Sequence, residues 1–210
     1  MPPRLTKIDE LTRSDHFRIS ENDECYYLRE YTSGGGFQFS DTNQLITNLK
    51  KSVDRRGRPE YQHKLRAIAT AASELRANLN PDWLRQATLV PIPPSACRTD
   101  ILFDDRMTQI LLQTVANVGG DVRELIVARS SMMPAHLSNV RPGVEELMDN
   151  YQIDESLANP VPTIIGVFDD LLTAGSHFSA VKNVLSARFP GAPIIGIFIA
   201  RRIFPSTDQE

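Results

Sequence analysis

Two adjacent carboxylates, Asp169 and Asp170, close the apolar run Ile164-Ile165-Gly166-Val167-Phe168, and after Leu171 and Leu172 comes the small-residue turn Thr173-Ala174-Gly175-Ser176. The apolar run has the character of a buried parallel strand. Behind the turn, Phe178, Val181, Val184 and Leu185 repeat at helical spacing, so the turn joins strand to helix. Helix N-termini present unpaired N–H groups to anions. The small residues let a phosphate approach the backbone, and Thr173 and Ser176 add hydroxyl donors. Acids at the carboxyl end of such a strand stand where α/β sheets bind ligands. They would accept from sugar hydroxyls and repel a phosphate, so the order of chemical types suits a phosphorylated sugar.

Other chemistries fit these residues less well. A Walker loop needs GxxxxGK[ST] and a dinucleotide fold needs GxGxxG, and neither string occurs. A two-aspartate phosphatase needs its acids one residue apart, whereas these are adjacent. An ordinary helix cap remains the plain alternative, because Asp, Thr and Ser are common in such turns.

Several elements must hold this turn. Tyr26-Tyr27-Leu28 and Phe37-Gln38-Phe39 flank Gly34-Gly35-Gly36, which predicts two short strands in a hairpin within an N-terminal extension over 1–42. The main domain then occupies 43–210. A helix is expected over 43–53, and its basic end, Lys50, Lys51, Arg55, Arg56 and Arg58, reads as a solvated cluster favouring the helix dipole. A second helix spans 59–79 with the stripe Leu65, Ile68, Ala69, Ala72, Leu75 and Leu79. Ala87 to Ile92 reads as the first strand of the main sheet, ended by Pro91 and Pro93-Pro94, whose stiffness suits an exposed anion-binding turn. A helix follows from Met107 to Val118, with Asp104 and Asp105 as first-turn dipole partners or as aids to a hydrated magnesium ion. Further expected strands are Val122 to Ala128, a short edge strand over Tyr151 to Asp154, and Ile194 to Ala200, with Arg201-Arg202 at the same sheet edge either meeting a base or phosphate or, as the plainer reading, in a solvated tail. The long irregular stretch from Arg129 to Pro142 has the length of a lid or binding loop. Strand, crossover helix and strand recur, which predicts an α/β fold with a mostly parallel central sheet flanked by helices.

Composition narrows the classes. The 210 residues suffice for one core, and 41% hydrophobic with 23% charged residues is ordinary for a globular chain. No apolar run approaches a membrane span, and MPPRLTKIDELTRSDHF has no signal-peptide core, so a cytoplasmic protein without membrane association is expected. Cys25 and Cys97 lack a CxxC or His-rich setting, so no protein metal site is expected and both read as free thiols. A net charge of -3 gives no case for broad nucleic-acid binding.

The segment GVFDDLLTAGSHF resembles the phosphoribosyl pyrophosphate loop of type I phosphoribosyltransferases, whose usual form is an apolar run, two acids, two apolar residues and TTGAT or similar. Leu89-Val90-Pro91-Ile92-Pro93 is similar to the VPVP strand end of the branch of competence-associated ComF proteins. Asp104-Asp105-Arg106-Met107-Thr108-Gln109 stands where that branch has an RGFNQ-like segment, and 129–141 stands at its polar active-site loop. The resemblance covers roughly 45–203 and implies a five-stranded core with a small hood. It implies transfer of a phosphoribosyl group from magnesium-bound phosphoribosyl pyrophosphate to a nitrogen acceptor, with release of diphosphate. Asp169 and Asp170 would hold the ribose hydroxyls as catalytic acids, and Leu172, Thr173, Ala174, Gly175, Ser176 and His177 the 5'-phosphate. Ser95 and Arg98 belong to the implied diphosphate loop, where Arg98 reads equally as a surface residue. Arg129, His136 and Arg141 would close over the diphosphate, and Met132 and Met133 would pack the lid. Magnesium would be held mainly by substrate oxygens. Ala174 and His177 replace threonines frequent in the family; His177 reads either as a charge-assisted phosphate donor or as a solvent-facing first-turn residue. The same fold also serves non-catalytic ligand sensors and effector or interaction proteins of bacterial stress and defence systems, and a homodimer or a protein partner is compatible with both.

Overall fold

The computed structural model describes residues 3–132 and 142–205. Its strands are β1 (Thr6–Lys7), β2 (Glu24–Thr32), β3 (Thr88–Pro91), β4 (Asp121–Val122), β5 (Ile126–Ala128), β6 (Tyr151–Ile153), β7 (Ile165–Leu172) and β8 (Ile194–Ile203). The α-helices are α1 (Glu10–Arg13), α2 (Asp41–Leu49), α3 (Tyr61–Asn78), α4 (Pro81–Gln86), α5 (Arg106–Val115), α6 (Val144–Asn150) and α7 (Ser176–Arg188). Six strands form the central sheet in the order β1-β2-β8-β7-β3-β4, and every pairing except β1 with β2 is parallel. The molecule is thus α/β, with a mostly parallel sheet between two helical layers.

The two layers follow from strand alternation, which sends successive side chains to opposite faces. Phe168, Ile197 and Ile199 pack into a core with α2, α3 and α5, whereas Ile165, Val167 and Phe198 pack into a second core with α7. Gly166 is required where the sheet meets α4, because a Cβ there would stand 2.7 Å from the Trp83 ring. Helix α3 buries Tyr61, Lys64, Ala67, Ile68, Ala71, Ala72 and Leu75. Leu65, expected on that stripe, is exposed, and Lys64 takes the inward position because its ammonium finds the Asp104 carboxylate and the Lys51 carbonyl.

Three sequence expectations are corrected at the edges. The N-terminal hairpin does not form: Phe37 to Phe39 lie in turns, and residues 24–32 instead make β2, paired in parallel with β8. That pairing seals the edge of a long buried strand, which a two-residue β1 alone could not do. The stretch from Val122 to Ala128 divides, and β5 leaves the sheet to pair antiparallel with β6. The break comes at Arg123, whose guanidinium is held by Asp121 and by the Leu157 and Pro160 carbonyls. Finally, Arg201 and Arg202 belong to β8, and Arg201 is buried against Asp15 and Glu30 rather than solvated.

Candidate functional site

Strands β3 and β7 are neighbours, yet the chain leaves them in opposite directions, through α5 to β4 and through α7 to β8. A parallel sheet opens a crevice beyond its carboxyl ends at such a switch point. Asp169 and Asp170 lie in the carboxyl-terminal half of β7 on one side of it, and the 92–105 loop leaves β3 on the other. The turn after β7 passes through Gly175, at φ 93°, into the first turn of α7. No side chain caps that helix, so its first N–H groups stay directed outward from the end.

The two acids have different surroundings, as adjacent strand residues must. Asp170 is 2% exposed and lies among α2 and α5. Its Oδ2 accepts from Arg106 Nε at 2.8 Å and Nη2 at 2.7 Å, and Lys50 Nζ is 3.3 Å from Oδ1. Arg106 Nη1 continues to Asp104 at 2.8 Å, and Asp104 accepts from Lys64 Nζ at 2.6 Å. The result is a row of alternating charge: Lys50, Asp170, Arg106, Asp104, Lys64. Burial alone would raise the Asp170 pKa, but the charges of Arg106 and Lys50 outweigh it and hold the carboxyl below its ordinary range. Asp169 is half-buried, and its Oδ1 accepts the Asp170 backbone N–H at 2.8 Å. Among the described residues no cation stands within ion-pair distance of Asp169. Burial, then the charge of Asp170, pushes its pKa up.

His177 stands on the first turn of α7, and its Nδ1 is 2.7 Å from the Tyr151 hydroxyl. Burial raises the Tyr151 pKa, so the hydroxyl keeps its proton; the bond runs from the hydroxyl to Nδ1 in the tautomer that carries its ring proton on Nε2, and the other way in the other tautomer. Burial, followed by the Lys50 charge, pulls the His177 pKa down to about 4. His177 is thus half-buried and, in the ligand-free protein, neutral at pH 7, with a single ring N–H to donate. A group with a depressed folded pKa gives stability that is present above its unfolded pKa and lost as pH falls. Stability should therefore drop by roughly 2 kcal/mol between pH 6.5 and 4. His177→Asn should flatten that slope in urea melts, leaving the part due to His16, which burial lowers in the same direction.

The remaining candidates separate. The Ser95 carbonyl accepts from Met132 N–H at 2.7 Å, and Cys97 N–H donates to Ser131 Oγ at 3.0 Å, so the β3 loop and the start of the long loop are stitched together. Arg98 is committed to Glu124 at 2.8 Å and Asp154 at 2.7 Å. Arg129 lines a cavity of about 460 Å³ with Cys97, Arg98 and Asp154. His136, Arg141 and Met133 lie outside the described residues. Lys50 was hidden in a basic run, and Arg106 behind two acids that read as dipole partners. His16 and Tyr151 gave no local signal, because each meets the turn from a distant part of the chain.

Both cysteines are free. Among the described residues no helix is long and apolar enough to cross a membrane, and no group of three or more His, Cys, Asp or Glu is arranged to hold a metal ion. The fold is consistent with a type I phosphoribosyltransferase-like one. No protein-family model matches the chain, and no curated protein is similar to it.

Proposed function

We propose that this protein binds phosphoribosyl pyrophosphate with magnesium and transfers the phosphoribosyl group to a nitrogen acceptor, releasing diphosphate, in the cytoplasm. The observation that carries this reading is the end of β7, where an acid pair at the switch point leads through a left-handed glycine into an uncapped helix. The 5'-phosphate sits against the N–H groups of 174–177, the hydroxyls of Thr173 and Ser176, and His177 Nε2–H in the tautomer that carries its proton there. Asp169, which is in ion-pair contact with none of the described cations, accepts from the ribose hydroxyls. Asp170 is spent on Arg106 and Lys50, so its part is to hold those two cations beside the crevice.

In the transfer, the C1–O bond to diphosphate breaks and a C–N bond forms, while the nitrogen gives up its proton. Positive charge develops on the ribose ring as the bond to diphosphate loosens, and the Asp169 carboxylate stabilises it electrostatically. Magnesium, when bound with the substrate, would neutralise the departing diphosphate, and a carboxylate plus substrate oxygens is the donor set that this ion commonly takes. Asp169 offers such a carboxylate, whereas Asp104 and Asp170 are already paired with cations.

A neutral His177 and the missing hydroxyl at Ala174 favour a second reading, a sensor that holds the ligand without turnover. Calorimetric titration of the protein with phosphoribosyl pyrophosphate and magnesium should give saturable binding, and no binding would remove both readings. Diphosphate release across a panel of bases and amines then divides them, with failure on every acceptor favouring the sensor.

A further inference from the structure

The phosphate turn rests on a segment more than 150 residues away in sequence. His16 is fully buried, and its Nδ1 meets the Thr173 carbonyl across 157 positions. A carbonyl only accepts, so Nδ1 carries the proton and donates it. Arg18 N–H donates to the Ala174 carbonyl at 2.9 Å, and Ser179 Oγ on the first turn of α7 donates back to the Arg18 carbonyl at 2.6 Å. Ile19 is pressed against the turn so closely that a Cβ on Gly175 would stand 2.7 Å from its Cδ1. Asp15, beside His16, is tied to Arg201 of β8 at 3.2 Å.

We infer that residues 15–19 are the floor of the phosphate turn and that His16 is its positioning residue. The reasoning rests on peptide geometry. In a trans peptide the C=O and the following N–H point in opposite directions. Fixing the Thr173 and Ala174 carbonyls towards His16 and Arg18 therefore turns the N–H groups of Ala174 and Gly175 the other way. Those two donors are thereby aimed together, before any ligand arrives, at one small anion. His16 Nε2 is buried without a hydrogen-bond partner, a cost that leucine or phenylalanine would avoid. The Nδ1–H bond to the turn is the interaction that an apolar residue could not supply.

The ligand assigned to these donors, a sugar 5'-phosphate, rests on the reading given under Proposed function; the positioning role does not. The test compares His16→Asn, whose side-chain N–H₂ falls near the position of Nδ1, with His16→Gln, whose N–H₂ falls near Nε2. In the ligand-free protein, the backbone amide resonances of 174–177 should stay at their wild-type positions in His16→Asn and should shift or broaden in His16→Gln. Ribose 5-phosphate is the binding probe, and its affinity should fall about tenfold in His16→Gln and stay near wild type in His16→Asn. Ser179→Ala, which removes only the tie to Arg18, should perturb the same resonances to a smaller degree. Equal behaviour of Asn and Gln, or turn resonances unmoved in both His16→Gln and Ser179→Ala, would overturn the inference. A wild type that ignores ribose 5-phosphate would overturn the assigned ligand, while the amide resonances still decide the positioning role.

Discussion

Asp169→Asn should lower the rate of diphosphate release by about a hundredfold or more, the usual size of losing one preorganised electrostatic group at a reacting centre. The same variant should be no less stable than wild type at pH 7. Burial and the charge of Asp170 raise the Asp169 pKa, so the fold disfavours its ionised form. For such a group the stability present at low pH is lost as pH rises above the ordinary carboxylate range, and the neutral amide escapes that loss. Activity should also climb with pH as Asp169 ionises, and the climb should vanish in Asp169→Asn. Rate, melting temperature and pH profile can be read on one pair of proteins. A destabilised but fully active Asp169→Asn would place the residue in the scaffold instead.

Arg106→Met should produce the largest loss of stability, about 3 kcal/mol, because it leaves the buried Asp170 carboxylate with only Lys50, whose side chain is 45% exposed. Asp170→Leu alone should also destabilise, since Arg106 keeps Asp104 but loses its deeper partner. The double variant should be more stable than the sum of the single losses predicts, since replacing both charges removes the uncompensated one. The acid limb has a defined sign. The Asp170 pKa is lowered by folding, so its contribution is present above about pH 4, the ordinary carboxylate value, and is lost as pH falls below it. Urea unfolding of the four proteins at pH 7 and pH 3 measures both effects, and strict additivity would dissolve the proposed coupling.

Local patterns in the chain carried much of this architecture. The apolar run before Asp169, the small-residue turn and the helical repeat from Phe178 lie within one continuous stretch, and each is set by its own neighbours. The difference between the two acids was not legible, because it depends on Lys50 and Arg106 arriving from two other elements. Strand β2 was misread as half of a hairpin for the same reason: its partner β8 is far along the chain, whereas the triple glycine beside it is near. The buried Lys64 ran against its residue type, since a lysine turns inward only where a carboxylate and a carbonyl await it. His177 was visible as a departure from the family pattern, but its neutral state depends on burial and on Lys50, which arrives from another element.

The parallel pairing of β2 with β8 also sets an order of events during synthesis. Cys25 is registered with Gly196 and Thr32 with Ile203, so β2 must wait for β8, which is made well after it. Until residues near 200 leave the ribosome, β2 has an open edge and the Asp15 to Ile19 segment lacks its Arg201 anchor. Pairings of such long range are slow to close and leave a nascent chain exposed to misassociation. The phosphate turn therefore acquires its final support only with β8, and a chain cut short before that strand would carry the whole loop sequence on a floor that lacks its Arg201 anchor.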